Sequence, residues 1–171
     1  YEKKQSAFKI AFLEKKLSAN FGNIQLNIRI DRIDEVANDG FILIDYKSGK
    51  HTPSPRDWLS ERPSDMQLPL YYTICANTNF QPITAVLIAN LNIEVKSPYS
   101  GASSIEAIKT GVQATRLQNS NVSSWQEVTD QWIITVKQLI TDITNGECNV
   151  DPINQNKTCK RCGLQALCRR H

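Results

Sequence analysis

The stretch FILIDYKSGK, residues 41–50, ends an apolar run with an acid and a base two positions apart, Asp45 and Lys47. Side chains at i and i+2 of a strand point to the same face, so this pair would aim opposite charges at one spot. Thirteen residues separate Asp45 from an earlier acid, Asp31, and the turn signal Asp39-Gly40 lies between them. A hairpin centred near Asn38 and Asp39 puts Asp31 opposite or diagonal to Asp45, within the roughly 5–8 Å over which cross-strand neighbours meet. Two carboxylates that close repel each other, and a shared proton or a divalent cation relieves the repulsion. Mg²⁺ or Mn²⁺ suits such a pair, with water and substrate phosphate oxygens completing the coordination. Lys47 could then position an attacking water and neutralise charge as a phosphodiester is attacked. The plain alternative is a surface ion pair worth about 0–1 kcal/mol, for which Asp-x-Lys alone is an ordinary sequence.

The elements that must hold these residues can be read from periodicity. Ile24 to Val36 alternates, with Ile24, Leu26, Ile28 and Ile30 on one face and Gln25, Asn27, Arg29 and Asp31 on the other, which predicts a strand. Residues 5–18 fit a short helix or a strand. Residues 51–63, with three prolines, read as a loop lying against a ligand. Ser64 and Gln67 fit a capping box opening a helix whose apolar face is Leu68, Tyr72 and Cys75, with Pro69 tolerated in the first turn. The run 83–93 is apolar enough for a central strand. SPYSGASS (97–104) reads as a polar loop, followed by a weakly patterned stretch. The clearest helix runs from Trp125 to about Asn145: Ser124 and Glu127 open it, Val128, Trp132, Val136, Leu139, Ile140 and Ile143 face inward, and Gly146 stops it. Hairpin, helix, strand and long helix make an α/β protein, a mixed central sheet flanked by helices. Residues 1–150 form the core, and 151–171 a cysteine-rich tail packed on the same domain.

At 171 residues with 40% hydrophobic composition the chain can bury a real core. It opens on Tyr1 and carries neither a signal-peptide pattern nor an apolar run of membrane-spanning length, so a soluble piece of a longer protein, with no membrane partner, is expected. A net charge of +3 proves no polyanion partner, although both ends are basic. Of five cysteines, Cys75 sits in an apolar helical stretch and Cys148 is isolated, while Cys159, Cys162 and Cys168 crowd together. An odd count without a secretion signal argues against disulfides and for a reducing cytoplasm, where clustered thiols hold metal. CxxC with a third cysteine suits a zinc knuckle or an iron–sulfur cluster. Cys148 or His171 could serve as a fourth ligand, and His51 reads as a surface residue.

RIDRIDE, ILIDYKSGK and QLPLYY together resemble the PD-(D/E)XK nuclease superfamily and, more narrowly, its RecB/AddB-type domains. The resemblance implies a restriction-endonuclease-like fold. It makes Asp31 and Asp45 metal-binding carboxylates, with the Tyr46 carbonyl as a further ligand, Lys47 the catalytic lysine, and Gln67 with Tyr71 a supporting pair near the DNA. Asp34 would pair with Arg32 or a DNA-facing cation, and Glu14 is the nearest match to an upstream acid those nucleases carry. The tail resembles one in which Cys159, Cys162 and Cys168 join a distant cysteine around a [4Fe-4S] cluster. The activity implied is Mg²⁺- or Mn²⁺-dependent DNA hydrolysis, exonucleolytic end processing in repair or recombination beside a helicase subunit or helicase-like region. A catalytically inactive DNA-binding scaffold of a helicase–nuclease complex is the alternative, and a zinc-knuckle interaction domain a third reading that leaves the hairpin charges unexplained.

Overall fold

The computed structural model describes residues 8–37, 40–49, 53–92, 94, 98–104, 124–147, 149–160 and 162–168. Asn38 and Asp39 of the hairpin turn, His51, Cys148, Arg161, Arg169, Arg170, His171 and the stretch 105–123 lie outside the described residues. Five strands form one sheet in chain order: β1 (Phe8–Phe21), β2 (Ile24–Val36), β3 (Gly40–Lys47), β4 (Ile83–Asn90) and β5 (Tyr99–Ser103). All neighbours are antiparallel except β3 and β4, which run parallel. A parallel pair needs a crossover, and here it carries a 3-10 turn at Pro55–Leu59 and helix α1 (Gln67–Cys75). Helix α2 (Trp125–Thr144) packs beside α1 on the sheet, and the short α3 (Gln165–Cys168) closes the described chain. This mixed sheet flanked by helices is the restriction-endonuclease-like α/β fold expected.

Alternation decides which face each side chain takes. Leu43 on β3 and its neighbour Val86 on β4 enter the main core with Ile33, Trp58, Tyr72 and Trp132, between sheet and helices. Ile44, Ala85, Leu87, Ala89 and Tyr99 form a second cluster on the other face. β4 is buried along all but its last residue, as an apolar run with helices above and a second cluster below should be. The aromatic centre is ordered by edge-to-face contacts, with Trp58 and Trp132 at 5.6 Å and Trp125 and Trp132 at 5.6 Å between centroids.

Several sequence expectations change. Of residues 5–18, undecided between helix and strand, the described part from Phe8 onward lies in β1, a 14-residue strand paired along β2 and reaching Phe21. SPYSGASS contains strand β5 rather than a loop: Tyr99 and Ala102 are buried, and glycine at 101 lets the backbone come so close to β4 that a Cβ there would collide with the Val86 carbonyl. Small polar residues hide strand propensity that tertiary pairing then imposes. In α1 the expected capping box does not form. Gln67 is the first helical residue, and Met66, at the cap, offers no side-chain hydrogen bond. In α2 Ser124 caps the helix as expected, its Oγ accepting from the Glu127 amide at 3.2 Å. Val128, Trp132 and Val136 are buried as expected and Ile140 is half-buried, but Leu139 and Ile143 are exposed.

Cys75 is fully buried in α1, and burial pushes its thiol up to about 12. Thiolate is the reactive form, so Cys75 should resist a thiol reagent in the native protein and react only on unfolding, whereas the half-exposed Cys159, Cys162 and Cys168 should label first. Mass mapping of the labelled protein at increasing urea checks the order.

Candidate active site

The β2–β3 ladder runs from Val36↔Gly40 to Arg32↔Ile44. One step further the same register puts Asp31 across from Asp45, where the hairpin reading placed it. Asp31 does not stand off its partner strand: its Oδ2 accepts from the Tyr46 amide at 2.8 Å. In an extended strand the N–H and C=O of one residue point to the same side, so the Tyr46 carbonyl also faces the Asp31 edge. The Lys47 carbonyl takes the opposite direction and accepts from the Leu91 amide of the β4 side at 2.8 Å. Asp31 and the Tyr46 carbonyl therefore share a gap where the ladder has stopped.

Asp45 stands on the helix-facing side of β3, next to Ile88 of β4, and is 3% exposed. Its carboxyl is shifted up, chiefly because burial strips water from the charge. Lys47 works against that shift, while Asp31 and Asp65 add to it. Asp45 Oδ2 lies 2.8 Å from the Lys47 ammonium, yet it is buried with no aligned hydrogen bond. Asp45 Oδ1 accepts from Gln67 Nε2 at 2.9 Å.

Gln67 joins the charges because it opens α1 directly over the end of β3. Its Oε1 accepts from Lys47 Nζ at 2.6 Å, and its Nε2 donates to Asp45 and to the Tyr71 hydroxyl at 2.9 Å. Both ends of the amide are thus used, and swapping them would set N–H groups against an ammonium. Tyr71, one helical turn on, is 8% exposed and belongs to the core as well as to this network. Of these contacts only the one to Gln67 Oε1 is an aligned hydrogen bond, so the Lys47 ammonium keeps N–H groups for a water or phosphate oxygen.

Asp34 turns to the other face, where it receives Arg32 in a two-pronged pair, Nε to Oδ1 at 2.7 Å and Nη2 to Oδ2 at 2.8 Å. Arg32 Nη1 also donates to the Tyr46 hydroxyl at 3.2 Å. Of the two acids in RIDRID, one faces the site and the other locks the strand that carries it. Glu14 sits on β1, not on a helix, and its carboxylate is held by Arg29 at 3.0 Å on the exposed surface.

The site offers oxygen donors of the kind hard cations prefer: two carboxylates, one with a buried oxygen lacking a hydrogen bond, and a strand-end carbonyl. This donor set fits a divalent ion that keeps water and substrate ligands. In the tail, Cys159 ends a turn of π-helix, the Cys162 amide donates to the Cys159 carbonyl at 3.2 Å, and Cys168 closes α3. Among the described residues, no three His, Cys, Asp or Glu side chains come together as a metal-holding group, so these three thiols are not gathered on one centre.

Sequence reasoning missed Asp57 and Asp65, two acids in the loop before α1. Asp57 Oδ2 accepts from the Ser64 amide and hydroxyl at 2.7 and 2.8 Å, and Asp65 Oδ1 accepts from the Gln67 amide at 2.9 Å. The signal was present in acids near a capless helix start, but it was absorbed into the Ser64–Gln67 box.

A mixed sheet whose parallel pair ends in Asp45, Lys47 and a bridging glutamine defines a class of phosphodiester-cleaving domain. The family model of the PD-(D/E)XK nuclease superfamily matches residues 1–169, and the chain belongs to that superfamily. A comparison with curated proteins gives no match. Membership implies a nuclease, a hydrolase using divalent metal on a DNA substrate. Among the described residues, no helix is long and apolar enough to cross a membrane.

Proposed function

We propose that this chain is a Mg²⁺- or Mn²⁺-dependent deoxyribonuclease that trims DNA ends exonucleolytically in repair or recombination, next to a helicase subunit or helicase-like region. The observation that carries the chemistry is Gln67 tying Asp45 and Lys47 together at the end of β3, with Asp31 reaching the same strand end. Asp31, Asp45 and the Tyr46 carbonyl would hold the cation. When bound, the cation neutralises phosphate charge and makes water more acidic. Lys47 directs an N–H at the attacking water or the phosphate. Gln67 holds that ammonium in place beside Asp45. The water oxygen bonds to phosphorus and gives up a proton to solvent, the bond to the 3′ oxygen breaks, and the departing oxygen takes a proton from solvent.

End processing and the helicase context rest on the RecB/AddB-like order of RIDRIDE, ILIDYKSGK and QLPLYY. The same likeness assigns Cys159, Cys162 and Cys168 to a [4Fe-4S] cluster whose fourth ligand lies elsewhere in the protein. Iron and sulfide in equal amounts in protein purified without oxygen would support that cluster, and zinc in their place would refute it.

The activity test uses end-labelled single- and double-stranded DNA with Mg²⁺ or Mn²⁺, comparing the wild type with Asp31→Ala. Cation-dependent shortening from the label, lost in the variant, is the expected result. Equal cleavage by both proteins would remove the assignment, and internal cuts without shortening would make the enzyme an endonuclease.

A further inference from the structure

The loop between the 3-10 turn and α1 contains two half-buried acids that the proposed chemistry does not use. Their contacts run in one direction. Trp58 is 1% exposed and packs edge-on against Trp132, which anchors the turn in the core. Next to it, Asp57 gathers three donors on a single oxygen: the Ser64 amide, the Ser64 hydroxyl and, at 3.3 Å, the Asp65 amide. Asp65 then accepts from the Gln67 amide, and the Gln67 side chain bridges Asp45 and Lys47.

We propose that Asp57 and Asp65 are positioning residues that fix the start of α1 so that the Gln67 amide is held between Asp45 and Lys47. The proposal deepens the nuclease reading and rests on it for its catalytic consequence. A helix start leaves amide groups without partners, and a side-chain oxygen normally satisfies one of them. Met66 supplies none, so Asp65 performs that task from one residue further upstream. Gln67 is the first helical residue, which means that any drift of this turn is carried straight into its side chain. The two charges it contacts choose which end of the amide faces which partner. They cannot choose how far it reaches, because that is set by the backbone at 67 and thus by Asp65. Asp57 in turn sets the backbone at 64 and 65.

An ordinary loop-stabilising role would lower the melting temperature of variants without acting through Gln67, so the test separates the two. Cleavage kinetics in Mn²⁺ are compared for the wild type, Asp65→Ala, Asp65→Asn, Gln67→Ala and the Asp65→Ala/Gln67→Ala double variant. Asp65→Ala should lower kcat by about 10- to 100-fold, the scale of a small misplacement, with KM held within about twofold. Asp65→Asn keeps an oxygen for the Gln67 amide and should restore most of the loss. In the Gln67→Ala background, Asp65→Ala should cost nothing further, since both act on one contact. Full kcat in Asp65→Ala, or an additive loss in the double variant, overturns the proposal.

A second readout does not depend on cleavage. Nitrogen–proton NMR of the Gln67 side-chain amide should show two well-separated resonances that shift and broaden in Asp57→Ala and Asp65→Ala and recover in Asp65→Asn. Unchanged resonances in Asp65→Ala refute the positioning role even if Asp57→Ala fails to fold. Should the wild type cleave no DNA with either cation, the nuclease reading falls, while the NMR comparison still decides whether these acids hold Gln67.

Discussion

Asp45→Asn should abolish cation-dependent cleavage while leaving the fold at least as stable as the wild type. The activity side follows from charge: a neutral amide offers a hard cation a much weaker ligand than a carboxylate and neutralises none of its charge, and losing one member of a catalytic unit costs at least about 10³-fold. The stability side follows from burial. The Asp45 carboxyl is held above its ordinary value by desolvation, with Lys47 only partly compensating and Asp31 and Asp65 pushing the same way as burial. A raised native value means that the folded state binds the proton more tightly than the unfolded chain, so the stability associated with this group is present at low pH and is lost as pH rises through the native value. Once ionised, the buried Asp45 is therefore a burden on the fold. Asparagine is neutral at every pH, and its oxygen can still accept from Gln67 Nε2, the 2.9 Å contact of Asp45 Oδ1. Lys47 keeps Gln67 Oε1 at 2.6 Å, and its side chain, 28% exposed, can turn toward water. The measurement pairs cleavage rates with thermal midpoints. A midpoint several degrees below the wild type would mean that the Asp45–Lys47 pair holds the fold together more than it serves chemistry.

That trade is why the hairpin could be read from the sequence while the loop could not. The alternation of Ile24 to Val36, the Asp39-Gly40 signal and the burst of apolar residues before Asp45 fix two strands and their register, and register alone carries Asp31 to Asp45. Strand β4 was legible because a strand covered on both faces must be apolar throughout. β1 was not, because an edge strand with one half-buried side alternates weakly: Leu17, Ala19 and Phe21 point to the core while Ile10 and Leu13 stay exposed. β5 hid behind Ser100, Gly101 and Ser103, chosen for close approach to β4 rather than for strand propensity. The capping box at Ser64 was a true local signal with the wrong owner, since Asp57 takes the Ser64 amide and hydroxyl before the helix begins. Hydrogen bonds between residues seven apart in a loop have no period to betray them. The meeting of Asp31, Asp45 and Lys47 thus came from local pattern and the placing of Gln67 beside them from the family resemblance, whereas the groups that hold Gln67 in place appear only in three dimensions.

Asp34→Ala should cause the largest loss of stability of any single change near the site, about 3–5 kcal/mol, against the roughly 5–15 kcal/mol that holds a typical domain folded. Asp34 and Arg32 are 4% and 6% exposed, and the carboxylate meets the guanidinium through two short hydrogen bonds in the planar geometry that arginine favours. Removing the carboxylate leaves a guanidinium, which does not lose its proton, inside the protein without this counter-charge. The Phe8 ring, 5.2 Å from the Arg32 guanidinium carbon, and the Tyr46 hydroxyl can soften that penalty but carry no negative charge. Replacing both partners, as in Arg32→Met/Asp34→Leu, takes away the charge along with its partner and should recover most of the loss, because the cost lies in a buried charge deprived of this carboxylate rather than in the missing pair. Urea unfolding of the two single variants and the double variant reads the coupling directly. A loss below about 1 kcal/mol for Asp34→Ala would place the pair among ordinary surface bridges, and Arg32 could then not be what keeps β2 rigid one residue away from Asp31.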